Sequence, residues 1–241
     1  MGFLTLENVT YSYGAKEPII DGVSWKLEKG KFHSLLGKSG CGKTTLLKLA
    51  AGLLQPDEGE IHLQGDKIGF VFQAPTLLEW KSVIENILLP ISLKRRVAKA
   101  DREKAESLLA LMGLSSCGAA FPNELSGGQQ SRVAIARGLI QEPAMLFLDE
   151  PFAALDAITR EELQDDLLRL CQLHQMTVLF VTHDISEAVY LSDRIAVMDK
   201  GRIIFDMDVE IPKRQAPETR YSPAFNEACL KIRAAMSGGA R

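Results

Sequence analysis

A glycine-rich segment between two apolar runs constrains the fold of this chain more than any other feature. The segment is Gly37-Lys38-Ser39-Gly40-Cys41-Gly42-Lys43-Thr44, and Thr45 follows it. Residues 32–36 before it predict a strand, and residues 44–53 after it carry leucines at helical spacing. Glycines let backbone N–H groups turn inward around a phosphate, and the positive end of the following helix dipole points at the same place. The pattern GxxxxGK[ST] in this context predicts a phosphate-binding loop of an α/β nucleotide-binding fold.

Two side chains at the end of this phosphate loop carry the chemistry of a nucleoside triphosphate site. Lys43 supplies a mobile positive charge for the β- and γ-phosphates, and the Thr44 hydroxyl suits Mg²⁺. A chance glycine turn before a helix is the alternative interpretation. Cys41 is most simply a small residue tolerated in the loop. Because a helix N-terminus can lower the pKa of a thiol, Cys41 also predicts inhibition by alkylating reagents and protection by bound ATP.

A second motif is an apolar run that ends in two acids. Residues 144–148 are apolar and continue into Asp149 and Glu150. Continuous apolar runs, here and at 177–181, fit strands buried on both faces of a mainly parallel sheet, whose carboxyl edge is where ligands bind. Asp149 is therefore predicted to hold Mg²⁺ through water, and Glu150 to polarise an attacking water. A simple strand-ending turn is the alternative.

The rest of the chain divides by pattern. Residues 4–9 and 23–27 predict short strands, and so do residues 60–63 and 68–72 on either side of a predicted turn at 64–66. Residues 82–93, 99–112 and 128–140 each favour helix, and together they predict a helical insert at about 74–142. A hairpin is predicted around Lys200 and Gly201. After residue 211 the sequence is rich in proline and charge, which predicts an extended arm over 212–223 and a short amphipathic helix over 224–236.

Composition limits the classes of protein that the chain can belong to. With 241 residues, 46% of them hydrophobic, the chain fits one globular domain with a subdomain. A net charge of −3 gives no electrostatic case for binding nucleic acid. The four cysteines form no CxxC pair and are expected to be reduced thiols. No signal peptide or membrane span is predicted, so any membrane-spanning helices have to come from a partner.

A third motif brings a family resemblance. Leu125-Ser126-Gly127-Gly128-Gln129, followed by Arg132-Val133-Ala134-Ile135-Ala136-Arg137, resembles the signature sequence of ATP-binding cassette (ABC) proteins. The resemblance implies a P-loop NTPase (RecA-like) core with an N-terminal antiparallel β subdomain and a helical insert. It implies an ATPase domain over 1–211, with 212–241 as a C-terminal arm and short helix, and it implies ATP and Mg²⁺ as ligands.

The remaining motifs of the family can be matched one at a time. Tyr13 resembles the aromatic residue that stacks on adenine, and Tyr11 is the less favoured choice because the usual pattern places a glycine next. Gln73 resembles the glutamine that touches Mg²⁺ and water. Ala154-Leu155-Asp156 resembles the segment called the D-loop, and His183 resembles the histidine that contacts the γ-phosphate. The resemblance therefore implies Glu150, His183 and Gln73 as catalytic residues.

The same resemblance implies a head-to-tail homodimer. Each ATP then lies between the phosphate loop of one subunit and the segment Ser126–Gln129 of the other. Because every motif is intact, both sites of a homodimer are expected to be competent. ATP binding favours the closed dimer, and hydrolysis reopens it.

Three further segments resemble importer ATPases of the nitrate, sulfonate and taurine group, whose relatives handle pyrimidine or vitamin precursors. These are Phe72–Trp80, Thr182–Val189 and Ser222–Phe225. The implied partners are transmembrane permease subunits and, indirectly, a periplasmic or extracellular solute-binding protein, with the chain peripheral at the cytoplasmic face of the inner membrane. A cleft beside Gln73 and Ile87 is expected to receive a short permease helix.

Several alternatives stay open from the sequence. Trp80 with Leu77 and Leu78 either lines that cleft or belongs to the core of the insert. An ABC exporter subunit shares the same ATP chemistry. A non-transport ABC ATPase, linked to nucleic acid or translation, is expected to have long coiled-coil inserts or two cassettes in one chain. A P-loop GTPase or kinase does not explain residues 125–129.

Overall fold

The computed structural model of the chain describes residues 2–14, 17–65, 67–211 and 217–238. In chain order the strands and helices are β1 (Leu4–Tyr11), β2 (Ile20–Leu27), β3 (Phe32–Gly37), α1 (Lys43–Ala50), β4 (Glu58–Leu63), β5 (Ile68–Val71), α2 (Val83–Ile87), α3 (Leu89–Ser92), α4 (Lys99–Leu111), α5 (Gly127–Leu139), β6 (Met145–Asp149), α6 (Ala157–Leu173), β7 (Thr177–Thr182), α7 (Ile185–Leu191), β8 (Arg194–Asp199), β9 (Arg202–Asp208) and α8 (Pro223–Met236).

The chain forms two compact units. The first consists of Met1–Asp66 together with Gln175–Arg241, and the second of Lys67–His174. The predicted insert at 74–142 lies inside the second unit, which also contains β5, β6 and α6. The predicted limits of the ATPase domain and of the C-terminal arm stay predictions, and residues 212–216 of that arm lie outside the described residues.

The first unit contains an antiparallel sheet in the order β2-β1-β4. Alternation of buried and exposed side chains along β2 fits a sheet with one face packed and one face open to water. The strands β4 and β5 flank the same predicted turn, yet they do not form a hairpin. Instead β4 pairs with β1, whereas β5 pairs in parallel with β6 of the second unit.

The first unit also contains the strands that carry the phosphate loop. β3 pairs in parallel with β7 on one side and with β8 on the other, and β3 and β7 are buried along their whole length. β9 returns antiparallel to β8, which confirms the predicted hairpin around Lys200 and Gly201. Helix α1 begins directly after the loop and buries its leucines against this sheet. The continuous apolar runs of the sequence therefore do form parallel strands.

The second unit combines the parallel pair β5 and β6 with the helices α2 to α6. The single helix predicted over 82–93 is in fact two short helices, α2 and α3. Pro90 explains the break, because its nitrogen has no hydrogen to donate to the carbonyl four residues earlier. Among the described residues, none of the helices combines the length and the apolar character needed to cross a membrane.

Candidate active site

The phosphate loop begins at the carboxyl end of β3 and is shaped by its two outer glycines. A Cβ atom on Gly37 would lie 2.4 Å from the carbonyl oxygen of Met198, so only glycine fits there. Gly42 has a φ of 107°, which L-residues with side chains rarely adopt, and a Cβ there would approach the carbonyl of Ile19 to 2.9 Å. The motif glycines are thus required by the backbone path of the loop.

Lys43 points its ammonium group back across the loop. Its Nζ donates hydrogen bonds to the carbonyl oxygens of Gly37, at 2.9 Å, and Lys38, at 3.0 Å. An ammonium group has three N–H donors, more than these two carbonyls accept. Lys43 therefore holds its charge inside the concave side of the loop, where the sequence predicts the β- and γ-phosphates.

The loop is anchored to the neighbouring hairpin, and this anchor involves Cys41. The backbone N–H of Gly201 donates to the carbonyl of Cys41 at 3.0 Å. The Cys41 side chain is only 8% exposed and packs toward Gly37. Burial raises the pKa of the Cys41 thiol, and the nearby charge of Lys43 only partly opposes this. Desolvation of the thiolate thus outweighs the positive surroundings, which favours the simpler interpretation of Cys41 as a small residue tolerated in the loop. Inhibition by alkylating reagents, with protection by ATP, stays a prediction.

His183 follows the strand next to the one that carries the loop. In the parallel pairing of β3 with β7, Leu36 lies opposite Thr182. Gly37 and His183 are the next residues on the two strands, so both emerge at the same carboxyl edge. The His183 side chain is exposed there. Within the first unit, the structure thus places the phosphate loop and the predicted γ-phosphate contact together.

The second unit brings together another pair of predicted residues in the same way. Val71 of β5 lies opposite Leu148 of β6. Two residues beyond these partners come Gln73 and Glu150. Gln73 and the acidic pair therefore leave adjacent parallel strands at one edge, as expected for ligand-binding positions in such sheets.

The two acids differ in their surroundings. Asp149 is the last residue of β6 and is only 2% exposed, whereas Glu150 is half-buried. Glu150 has a φ of 46°, in the left-handed region that costs a non-glycine residue about 1–2 kcal/mol. Strained backbone of this kind is concentrated at functional sites, where it aims a side chain. The two successive carboxylates thus differ in backbone conformation and in burial, which allows them different roles.

The signature segment forms the start of α5. Ser126 is the N-cap residue: its Oγ accepts a hydrogen bond from the backbone N–H of Gln129, and Gln129 Oε1 accepts one from the N–H of Ser126. This reciprocal capping fixes both side chains at the positive end of the helix dipole. The Ser126 hydroxyl uses its oxygen as an acceptor in this cap, so its hydrogen can still be donated to an anion.

Three other predicted or neighbouring residues are placed as follows. Tyr13 is 45% exposed, and its ring meets that of Tyr11 edge to face at 5.0 Å. Asp156 is the N-cap of α6 and accepts the N–H of Thr159, which holds the pKa of its carboxyl below the usual range. Tyr13 is thus the more exposed of the two tyrosines. Asp156 has a structural role as the cap of α6.

A groove in the second unit was only partly anticipated from the sequence. Its volume is about 300 Å³, and Phe72, Leu89, Pro90 and Arg137 are among the residues that line it. Ile87, which was expected beside such a cleft, is fully buried and does not line the groove. Trp80 is 75% exposed, so the interpretation of Trp80 as core of the insert is wrong.

Sequence reasoning missed how Arg137 holds the segment after Gln73. Its guanidinium donates to the carbonyls of Pro75, at 2.7 Å, and Thr76, at 2.9 Å, and to the Thr76 hydroxyl. Arg137 was visible only as the last residue of the signature helix motif. Its partners lie more than sixty residues away, and no local pattern indicates such a contact.

Comparison with known proteins decides which family these motifs belong to. The family profile described as ABC transporter matches residues 20–153, more than half of the chain. The chain belongs to the ABC transporter family. Its match contains the phosphate loop, Gln73, the signature segment and the acidic pair, and the fold is that of the P-loop NTPases.

Similar proteins support a closer placement within the ABC family. An aliphatic sulfonates import ATP-binding protein of Rhizobium johnstonii is 44% identical over 219 residues, which cover 90% of this chain and 85% of the relative. A protein of the same description from Bacillus cereus is 41% identical over 223 residues, covering 89% of this chain and 86% of the relative.

Solved ABC structures have the same fold. The ATP-binding cassette MJ0796, determined as a dimer in a post-hydrolysis state with ADP and Pi, superimposes with a TM-score of 0.81 at 34% identity and covers 86% of this chain and 99% of that chain. The ABC transporter subunit cbiO1 of Clostridium perfringens gives a TM-score of 0.78 at 26% identity, over 98% of this chain and 97% of that chain. This chain is an ABC ATPase.

Proposed function

We propose that this ABC ATPase is the nucleotide-hydrolysing subunit of an importer for aliphatic sulfonates or a related small solute. The importer assignment is supported by relatives that are 41–46% identical and are named as aliphatic sulfonates import ATP-binding proteins. The ATPase assignment is supported most by one observation. The ammonium of Lys43 is fixed inside the phosphate loop, and His183 emerges from the adjacent strand at the same edge.

We assign ATP binding to the exposed ring of Tyr13 and to the phosphate loop. Tyr13 stacks on the adenine, since its exposed face offers the planar surface that a base requires. The backbone N–H groups of the loop and of the first turn of α1, up to Thr45, surround the phosphates, and Lys43 neutralises charge on the β- and γ-phosphates.

We assign the coordination of Mg²⁺ to Thr44, Gln73 and Asp149. These residues offer a hydroxyl, an amide and a carboxylate oxygen, the hard donors that Mg²⁺ requires. Among the described residues there is no group of three or more His, Cys, Asp or Glu side chains that could hold a metal ion. This set fits a cation that keeps water and phosphate oxygens as its main ligands. When bound, Mg²⁺ neutralises charge on the transferring phosphoryl group.

We assign the hydrolytic step to Glu150, Gln73 and His183. Glu150 accepts a proton from the attacking water, whose oxygen forms a bond to the γ-phosphorus. The bond between the γ-phosphorus and the bridging oxygen breaks, and that oxygen remains with ADP. Gln73 orients the water, and His183 donates a hydrogen bond to a γ-phosphate oxygen. A positioned general base contributes about 10²–10⁴-fold to such a step.

The active form is a head-to-tail homodimer. Ser126, Gly127, Gly128 and Gln129 of one subunit face the ATP held by the phosphate loop of the other, and Asp156 adds a contact from its D-loop. The capped start of α5 supports this role, because it presents backbone N–H groups and the Ser126 hydroxyl as anion ligands. MJ0796, which has the same fold, was determined as a dimer.

The output of the cycle is movement of membrane partners. The groove lined by Phe72, Leu89, Pro90 and Arg137 receives a short helix of a transmembrane permease subunit, since it is apolar and lies beside Gln73 in sequence. The ATPase is then peripheral at the cytoplasmic face of the inner membrane. A solute-binding protein acts on the far side and contacts this chain only indirectly.

The decisive experiment compares Glu150→Gln with the parent in a complex reconstituted with its permease. We expect the variant to assemble with the permease, to trap ATP in a stable dimer, to hydrolyse ATP about 10²–10⁴-fold more slowly and to abolish alkanesulfonate uptake. Glu161→Gln, an exposed position on α6, is the matched control and should behave as the parent. Hydrolysis by Glu150→Gln at the parent rate would refute the general base, and failure to bind any permease would refute transport.

A further inference from the structure

The described part of the C-terminal arm packs on the helix that follows His183. Helix α8 buries one stripe of side chains, Phe225, Ala228, Ile232 and Ala235, at helical spacing. This stripe packs against α7 and β8. α7 has only seven residues, too few to be stable alone, so its position depends on its packing partners.

The arm contacts α7 both through Arg220 and through α8. At the end of α7, the Arg220 guanidinium lies over the ring of Tyr190, with Cζ 3.4 Å from the ring centroid. Helix α8 itself also packs against α7. The pKa of the Cys229 thiol, on α8, is raised by burial and also by the neighbouring carboxylate of Asp184. The arm therefore contacts α7 through two of its parts, Arg220 and α8.

The start of α7 in turn fixes the backbone on either side of His183. Asp184 is the N-cap and accepts the backbone N–H groups of Ser186, at 2.7 Å, and Glu187, at 3.1 Å. Thr182 Oγ1 donates to the Glu187 carboxylate at 2.7 Å and accepts the N–H of Asp184 at 3.0 Å. A shift of α7 would thus move both neighbours of His183, and His183 with them.

We propose that Arg220 is a positioning residue for ATP hydrolysis, which by stacking on Tyr190 holds α7 and thereby sets the place of the His183 imidazole. This inference rests on the proposed contact of His183 with the γ-phosphate. Arg220 itself touches no substrate. A movement of the C-terminal arm would then change the rate of ATP hydrolysis.

The test uses the full chain and measures hydrolysis as a function of ATP concentration. A cation over an aromatic ring contributes enough to change a rate by about two- to fivefold. We expect Arg220→Ala to lower kcat by about that factor with KM unchanged. Arg220→Lys keeps a cation over the ring and should restore most of kcat. Lys231→Ala removes the same charge from the exposed face of α8 and should behave as the parent.

A double variant distinguishes this inference from the proposed function itself. In a His183→Ala background, Arg220→Ala should add no further loss to the residual kcat, because the group that it positions is gone. Hydrolysis by His183→Ala at the parent rate would refute the role of His183. If His183→Ala hydrolyses ATP slowly but Arg220→Ala has the kcat of the parent, the positioning role of Arg220 is overturned. The same holds if Arg220→Ala lowers kcat in the His183→Ala background by as much as it does in the parent. A rise in KM for Arg220→Ala would also overturn it.

Discussion

His33 is a buried histidine that the active site does not use. It lies on β3 with its side chain 1% exposed, and its Nε2 accepts the backbone N–H of Glu28 at 3.1 Å. This bond requires a neutral ring with its hydrogen on Nδ1, and among the described residues that atom has no hydrogen-bond partner. Burial is the main cause that lowers the pKa of His33 to about 4.

The low pKa of His33 predicts a pH-dependent stability. Above pH 6.5 the ring is neutral in both the folded and the unfolded chain, so its protonation does not affect the free energy of unfolding. Between pH 6.5 and about 4 the unfolded chain binds a proton that the folded chain does not, so stability falls as pH falls. The free energy of unfolding falls by about 3 kcal/mol in all over this pH range. Urea unfolding at pH 7 and pH 4.5 measures it.

The matched variants for this measurement are His33→Gln and His62→Gln. His33→Gln can still accept the Glu28 N–H and should lose most of the extra pH dependence. His62 is exposed beside Glu60, so His62→Gln should keep the dependence of the parent. An unchanged pH dependence in His33→Gln would show that other groups cause it.

Contacts between elements are where sequence reasoning failed most. The phosphate loop, the buried strands and the signature helix were predicted because each depends on residues close in sequence. Pro90 split a predicted helix, and burial raised rather than lowered the pKa of the Cys41 thiol. Ile87 turned out to be buried and Trp80 exposed. The break at Pro90 has a local cause, which the proline itself signals. The burial of Cys41 and Ile87 and the exposure of Trp80 depend on which side chains meet from distant segments, and periodicity carries no information about that.

Arg137 connects helix α5 to the segment after Gln73 and gives a prediction about a contact between distant parts of the chain. Its three hydrogen bonds tie the Pro75–Thr76 segment to α5, and Thr76 has a φ of 46°, unusual for a β-branched residue. We expect Arg137→Ala to lower the free energy of unfolding by about 2 kcal/mol, because two carbonyls lose a charged donor.

Denaturant unfolding of the isolated chain measures this effect. Arg137→Lys should fall between parent and Arg137→Ala, because an ammonium cannot reproduce the fork of a guanidinium. Arg169→Ala is the control, since Arg169 is exposed on α6 and pairs with Asp166 only at 3.7 Å. Equal stability of Arg137→Ala and Arg169→Ala would mean that the segment after Gln73 is held by other contacts.

The whole molecule is expected to work only as a pair of chains, because the phosphate loop and the signature segment act on ATP from different subunits. Two inactive variants can test this arrangement. Lys43→Ala removes the charge inside the loop. Gly127→Asp places a carboxylate at the start of α5, where a Cβ on Gly127 meets nothing within 4 Å of its own chain. An acid at a helix N-terminus does not destabilise the helix.

Mixing these two variants should restore hydrolysis. In a mixed dimer, one site combines both defects, whereas the other pairs an intact loop with an intact signature segment. Half of the dimers in an equal mixture are mixed and each has one intact site, so about a quarter of the parent rate is expected if the sites act independently. If hydrolysis requires two intact sites in one dimer, the mixture does not hydrolyse ATP, and trapping of ATP is measured instead. With Glu150→Gln added to both chains, each mixed dimer should then retain one ATP at its intact site. A mixture that neither hydrolyses nor traps ATP would show that the signature segment does not act across the dimer.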